Sequence, residues 1–161
     1  MMTQVDQTIQ NNLFDIENED EVEAVSDSKK YLTFVSNGLG FAINSDFVIE
    51  IINEHFITRL PRVPDYIKGI INLRGQIIPI MDARLRMGHP RAEITKETCI
   101  IVISVNDVSI GLFVDKVLHM IDLTDDDISE PPVNNNQEFV NGITHLHDVV
   151  YLIIDCELLL K

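Results

Sequence analysis

Two isoleucine-rich runs, residues 67–71 and 77–80, are separated by Asn72-Leu73-Arg74-Gly75. Runs this short and this rich in β-branched side chains read as strands, and the Asn/Arg/Gly break between them reads as a tight β connection. Pro61 and Pro64 force an extended approach to the pair, because proline restricts both itself and its predecessor. A hairpin turn requires Asn and Gly but does not require arginine. The Arg74 guanidinium, held on a rigid turn beside apolar strands, presents five fixed donors either to solvent or to a carboxylate or backbone carbonyl.

At 161 residues the chain can bury one substantial core or two small ones, and it is too short for a multidomain enzyme. Ile and Val number 38, aromatics make up 6% and Trp is absent, so the predicted core is aliphatic and built from sheet. The net charge of −14 is unevenly spread: residues 1–28 hold eight acids and no Lys or Arg, leaving −6 for the remainder. That balance repels phosphate backbones and anionic membranes, which argues against nucleic-acid binding and against docking by a basic patch. Arg84, Arg86 and Arg91 form a local basic cluster, expected as the solvated end of a short helix.

Cys99 and Cys156 each lie in an apolar run, as reduced thiols of a cytosolic protein do. No run approaches the roughly 18 apolar residues of a membrane span. The N-terminus is acidic where a signal peptide is basic and then apolar, so the expected location is the cytoplasm.

Residues 1–29 are expected to be a flexible acidic tail, in which Val5, Ile9, Leu13 and Ile16 could line one face of a short helix on contact with another surface. Residues 30–161 form the domain. Strands are predicted over 31–36 and 39–43 around an Asn37-Gly38 turn, with a single helical turn at Asn44-Ser45-Asp46 before an extended 48–52. After the 60–88 stretch, which ends in a short helix over 82–87, residues 99–105, 108–114 and 116–121 are expected to make a three-stranded meander around Asn106-Asp107. A long polar loop, including Asn134 to Asn136, leads to a hairpin of 139–146 with 149–154, and Asp155 caps a terminal helix. Nine or ten short strands at this spacing indicate an all-β barrel or sandwich with short helices. The two halves share a strand rhythm, but no internal repeat is convincing at the level of sequence.

The polar residues do not assemble into a recognisable catalytic pattern. His145 and His147 on a strand would point to one face beside Asp148, yet a third ligand at a defined spacing is missing. Asp125, Asp126 and Asp127 lack the alternation, glycine and terminal glutamate of a calcium loop, and a helix start capped by Thr124 explains them better. Gly38-Leu39-Gly40 has no helix start at the offset a phosphate loop needs. What remains is an apolar β protein working through strand faces, sheet edges or a groove between barrels.

From about Lys30 to the end, the sequence resembles the CheW family of chemotaxis coupling proteins. The matching motifs are Val48-Ile49-Glu50-Ile51, Pro64-Asp65-Tyr66-Ile67-Lys68-Gly69, Asn72-Leu73-Arg74-Gly75, Ile78-Pro79-Ile80-Met81-Asp82, the 111–115 stretch with Val117, and Gly142-Ile143. The resemblance implies two intertwined five-stranded SH3-like β-barrels. It implies an adaptor without catalytic activity or cofactor, bridging chemoreceptor cytoplasmic tips and the regulatory domain of the histidine kinase CheA in arrays at the inner face of the membrane.

By the same resemblance, Glu50 and Arg74 are a polar pair holding the hairpin to the preceding segment. Val48, Ile77, Cys99 and Val117 are apolar positions facing the receptor helix; Ile51, Lys68, Gly69 and Gly75 face the kinase or shape the hairpin. A paralogue serving a pilus-type array would carry the same motifs. The competing readings are a small metal-dependent hydrolase using His145, His147 and Asp148, and a peptide-binding barrel outside signalling.

Overall fold

The computed structural model describes residues 27–53, 55–132 and 138–160, so the tail helix and the Asn134 to Asn136 loop of the sequence reading lie outside the described residues. Ten strands, β1 (Lys29–Ser36), β2 (Leu39–Asn44), β3 (Val48–Ile52), β4 (Ile67–Leu73), β5 (Gln76–Asp82), β6 (Cys99–Val105), β7 (Val108–Val114), β8 (Lys116–Leu123), β9 (Val140–Leu146) and β10 (Val149–Ile154), carry two one-turn helices, α1 (Ala83–Arg86) and α2 (Cys156–Leu159). The strands form two five-stranded sheets, ordered β8-β1-β2-β10-β9 and β3-β6-β7-β5-β4. The second sheet is contiguous in sequence and is inserted into the first, which makes the two units intertwined.

Each sheet curls into an SH3-like barrel that a strap, rather than a full ladder, completes. Past the edge strand β3, Thr58 makes a single bridge to Ile70 on the opposite edge strand β4; past β8, Ser129 bridges Ile143 on β9. The straps cross over Gly69 and Gly142. A Cβ on Gly69, whose φ is +150°, would collide with the Thr58 carbonyl, and one on Gly142 would lie 2.6 Å from Ile128 Cγ2. Glycine is required at Gly69 both for its backbone conformation and for this close approach.

Four two-residue turns close the hairpins, at Asn37-Gly38, Arg74-Gly75, Asn106-Asp107 and His147-Asp148, and both residues of each turn have positive φ. This conformation matches the twist of the flanking strands. It also corrects the reading of His145 and His147 as ligands on one strand face, since His147 sits in the turn at φ +52°.

The expected meander is likewise corrected. β6 and β7 pair as a hairpin, but β8 leaves that sheet and pairs with β1 in the other. The crossing point is pinned where Asp115 donates its backbone N–H to the Val35 carbonyl. Apolar patterning alone could not reveal this, because β6 is buried on both faces. Ile100 and Val102 fill the interior of their own barrel, while Cys99, Ile101 and Ile103 join a cluster shared with Leu32, Phe34, Phe41 and Ile43 of the other unit. Side chains alternate between faces along a strand, so one continuous apolar run serves both compartments. A further cluster around Tyr31, Ala42 and Tyr151 fills the interrupted barrel.

Candidate partner-binding surface

The β4–β5 turn places Arg74 at φ +53°, and Asn72 Oδ1 accepts from the Gly75 N–H at 2.9 Å to fix the turn. From there the guanidinium donates Nη1–H to Glu50 Oε1 at 2.7 Å and Nη2–H to Oε2 at 3.1 Å. Glu50 lies on β3 and Arg74 follows β4, the two opposite edges of one sheet. The fork therefore joins the rim of the barrel across its open side, parallel to the Thr58 strap. The Arg74 hydrogen bonds hold the Glu50 carboxyl below its ordinary range, and the same contact raises the guanidinium. Exposed apolar side chains flank both ends of the pair: Ile49 and Ile51 on β3, and Ile77, 55% exposed, opposite Asn72 on β5. Two-sided edge strands with exposed isoleucines are surfaces suited to a partner.

Cys99 and Val117 meet elsewhere, at the junction of the barrels, where Cys99 is 4% exposed and Val117 is half-buried against the shared cluster. Val48 packs against the same cluster but lies opposite Ile103, at the other end of β6. Burial raises the Cys99 thiol, against a smaller opposing hydrogen bond with the Val117 backbone. Ile77 is not part of this group; it belongs to the Arg74 hairpin. Gly69 is buried under the strap, and Gly75 completes the turn.

Lys68 lies in a third setting. Its ammonium is 3.9 Å from Asp82 and 4.3 Å from the centroid of the Phe113 ring. Burial lowers its pKa; Asp82 opposes that shift, while Arg91 and Arg59 push it further down.

Sequence reasoning missed the clamp between the barrels. Arg84 donates to Asp115 through Nη2 at 2.7 Å and Nε at 3.1 Å, and through Nη1 to Asn37 Oδ1 at 3.0 Å. Asp115 also accepts from the Asn37 N–H at 3.0 Å. Arg86 lies over the rings of Tyr66 and Phe139, at 4.7 and 4.3 Å, and donates to the Leu159 carbonyl. Arg84 and Arg86 are thus inter-barrel fasteners rather than the solvated helix end expected of them. Burial would raise the Asp115 carboxyl, but Arg84 and the Asn37 amide outweigh it and hold it below its ordinary range. An acid directly after an apolar strand and an arginine two residues past a helix cap were the only local hints.

Among the described residues, no three His, Cys, Asp or Glu side chains gather as a metal site, and no described helix is long and apolar enough to cross a membrane. Paired barrels with an ion-paired rim, exposed edge isoleucines and an apolar junction define a β-barrel interaction module. The chain belongs to the CheW family: the CheW-like domain matches residues 30–161. It is 37% identical over 108 residues to the chemotaxis protein CheW of Bacillus subtilis, covering 67% of this chain and 69% of that one. It is 33% identical over 119 residues to the protein PilI of Pseudomonas aeruginosa, covering 68% and 67%. The crystal structure of the scaffolding protein TtCheW from Thermoanaerobacter tengcongensis superposes with a TM-score of 0.74 at 33% identity, covering 78% of this chain and 88% of that chain.

Proposed function

We propose that this chain is a non-catalytic chemotaxis adaptor that couples the cytoplasmic tips of chemoreceptors to the regulatory domain of a CheA-type histidine kinase, so that receptor state controls autophosphorylation. The observation that carries the reading is the family match across residues 30–161. The Glu50–Arg74 fork with isoleucines at both ends supports it, as a surface of fixed geometry and mixed chemistry. In this reading Val48, Cys99 and Val117, packed on the shared apolar cluster, and Ile77, on the Arg74 hairpin, are the apolar positions that meet a receptor helix. Ile51, Lys68, Gly69 and Gly75 present or shape the kinase-facing side. Residues 30–161 act as the working domain, preceded by the acidic N-terminal segment. The protein works in the cytoplasm and reaches the membrane through receptors.

Receptor-dependent autophosphorylation of a cognate CheA-type kinase, with the native chain or its Arg74→Glu variant, tests the reading. Stimulation by the native chain that the variant loses is the expected result; no stimulation with a verified active kinase and folded adaptor overturns it. The likeness to PilI favours a second reading, an adaptor of a pilus-type array. In that case a kinase of such an array responds and a flagellar-type kinase does not.

A further inference from the structure

Two adjoining hollows of about 390 and 600 Å³ share Ile57, Lys68 and Ile94 on the face of the β3–β7 barrel. Together they gather Arg59, Lys68, Arg91 and Lys96, four of the chain's twelve basic residues, against Asp65 as the one acid in their lining. The apolar part of the wall is open to solvent, with Ile94 71% exposed. Residues 48–114 carry eight basic and seven acidic side chains in a chain whose net charge is −14, so this barrel is a near-neutral unit in an acidic chain and its cations gather at the cleft. Neither the pairing of Glu50 with Arg74 nor the inter-barrel clamp uses these cations.

We infer that this cleft is the docking site of the chain's own N-terminal segment. Residues 1–26 hold seven acids and no base, with Leu13, Phe14 and Ile16 placed immediately before Glu17, Glu19, Asp20, Glu21 and Glu23. An apolar anchor followed by a carboxylate run complements an apolar wall ringed by Arg and Lys. The eleven residue-to-residue steps from Ile16 to Asp27 span up to about 36–40 Å when extended. A domain of this size has a radius of gyration of about 14 Å, so the extended segment is about as long as the domain is wide. Tethering raises the effective concentration of a weak electrostatic contact into the millimolar range for a short linker. The docked segment covers Lys68, which places an acidic pseudo-ligand over one of the positions assigned above to partners; the docking itself does not depend on that assignment.

The test compares amide NMR spectra of the full chain with those of a full chain carrying E17Q, E19Q, D20N, E21Q and E23Q. The expected shift changes cluster at residues 57–68 and 91–98. They shrink as NaCl rises from about 50 to 500 mM, because exposed charges are then screened over a few ångströms. In an R91E/K96E background, where both substituted positions are exposed, neutralising the tail leaves those residues unmoved. Absent changes, or changes confined to β1, β2 and β8–β10, overturn the inference. So do changes that grow with protein concentration, which assign the cleft to the tail of a second copy.

Discussion

The two barrels share one wiring scheme and differ in what they leave open. In each, two hairpins meet through a parallel pair, β2 with β10 and β7 with β5, and a strap crosses over a glycine. In each, an aspartate at the end of one strand of that parallel pair caps a one-turn helix, Asp82 of β5 for α1 and Asp155 directly after β10 for α2. The backbone N–H of each aspartate donates to an aromatic residue's carbonyl, that of Tyr66 or Phe139. The surfaces diverge, however. Residues 115–161 carry ten acids and two bases, whereas residues 48–114 are nearly neutral and expose Ile49, Ile51, Ile77 and Ile94 around fixed cations. The two barrels thus share the backbone devices that fold them, while the near-neutral surface with exposed isoleucines belongs to the inserted barrel.

The straps provide the sharpest break between the two units. Gly69→Ala meets backbone and a left-handed φ at once, whereas Gly142→Ala meets a side-chain methyl that can shift. The first is expected to cost more than about 4 kcal/mol or prevent folding, and the second about 1–2 kcal/mol, measured by denaturant unfolding. Equal costs would show that the straps are equivalent.

At the equivalent helix starts, Ala83 stands in one barrel and Cys156 in the other. Burial, with Asp155 and Glu157, pushes the Cys156 thiol up to about 12 from an ordinary 9.0. The raised group stays protonated in the folded state while the unfolded chain loses its proton. Its stabilising contribution is therefore complete below pH 9 and falls between pH 9 and 12, by at most about 1.4 kcal/mol per pH unit. Cys156→Ala should flatten that alkaline limb, as read from melting temperature against pH.

The fastening between the barrels is expected to contribute about 2 kcal/mol through charge-assisted hydrogen bonds. Arg84→Ala and Asp115→Ala in a double-mutant cycle should show coupling of that order. Because Asp115 is held low, the coupling is present above the ordinary carboxylate range and disappears as the pH falls below about 4. Coupling that does not weaken at all on acidification would exclude the ion pair as its source.

The smallest effect on stability belongs to Arg74→Glu. The site is exposed on a turn, and melting should be unchanged, while kinase stimulation is lost. A variant that loses both would make the fork a structural closure of the rim.

Much of this organisation was legible in local sequence. The turn residues Asn37-Gly38 and Asn106-Asp107, the caps Asn44 and Asp155, and the β-branched runs each specify their own few residues. They lie in the structure where those signals placed them. The resemblance paired Glu50 with Arg74, 24 residues away, and the structure supplies the bidentate contact. The Arg84 clamp was not legible, because its partners lie 31 and 47 residues away on other elements. Nor was the departure of β8 to the other sheet, or the strap equivalence hidden in Ile57-Thr58 and Ile128-Ser129.

The physical reason is the same in each case. By itself the sequence determined the class of the protein and its local geometry, because strand preference, turn conformation and capping are settled by neighbouring residues. Only the tertiary structure decided which sheet each strand joined and which charges met. A strand apolar on both faces, such as β6, has no preference written into it for one compartment over another. A charged side chain acquires a partner only when packing has fixed both backbones.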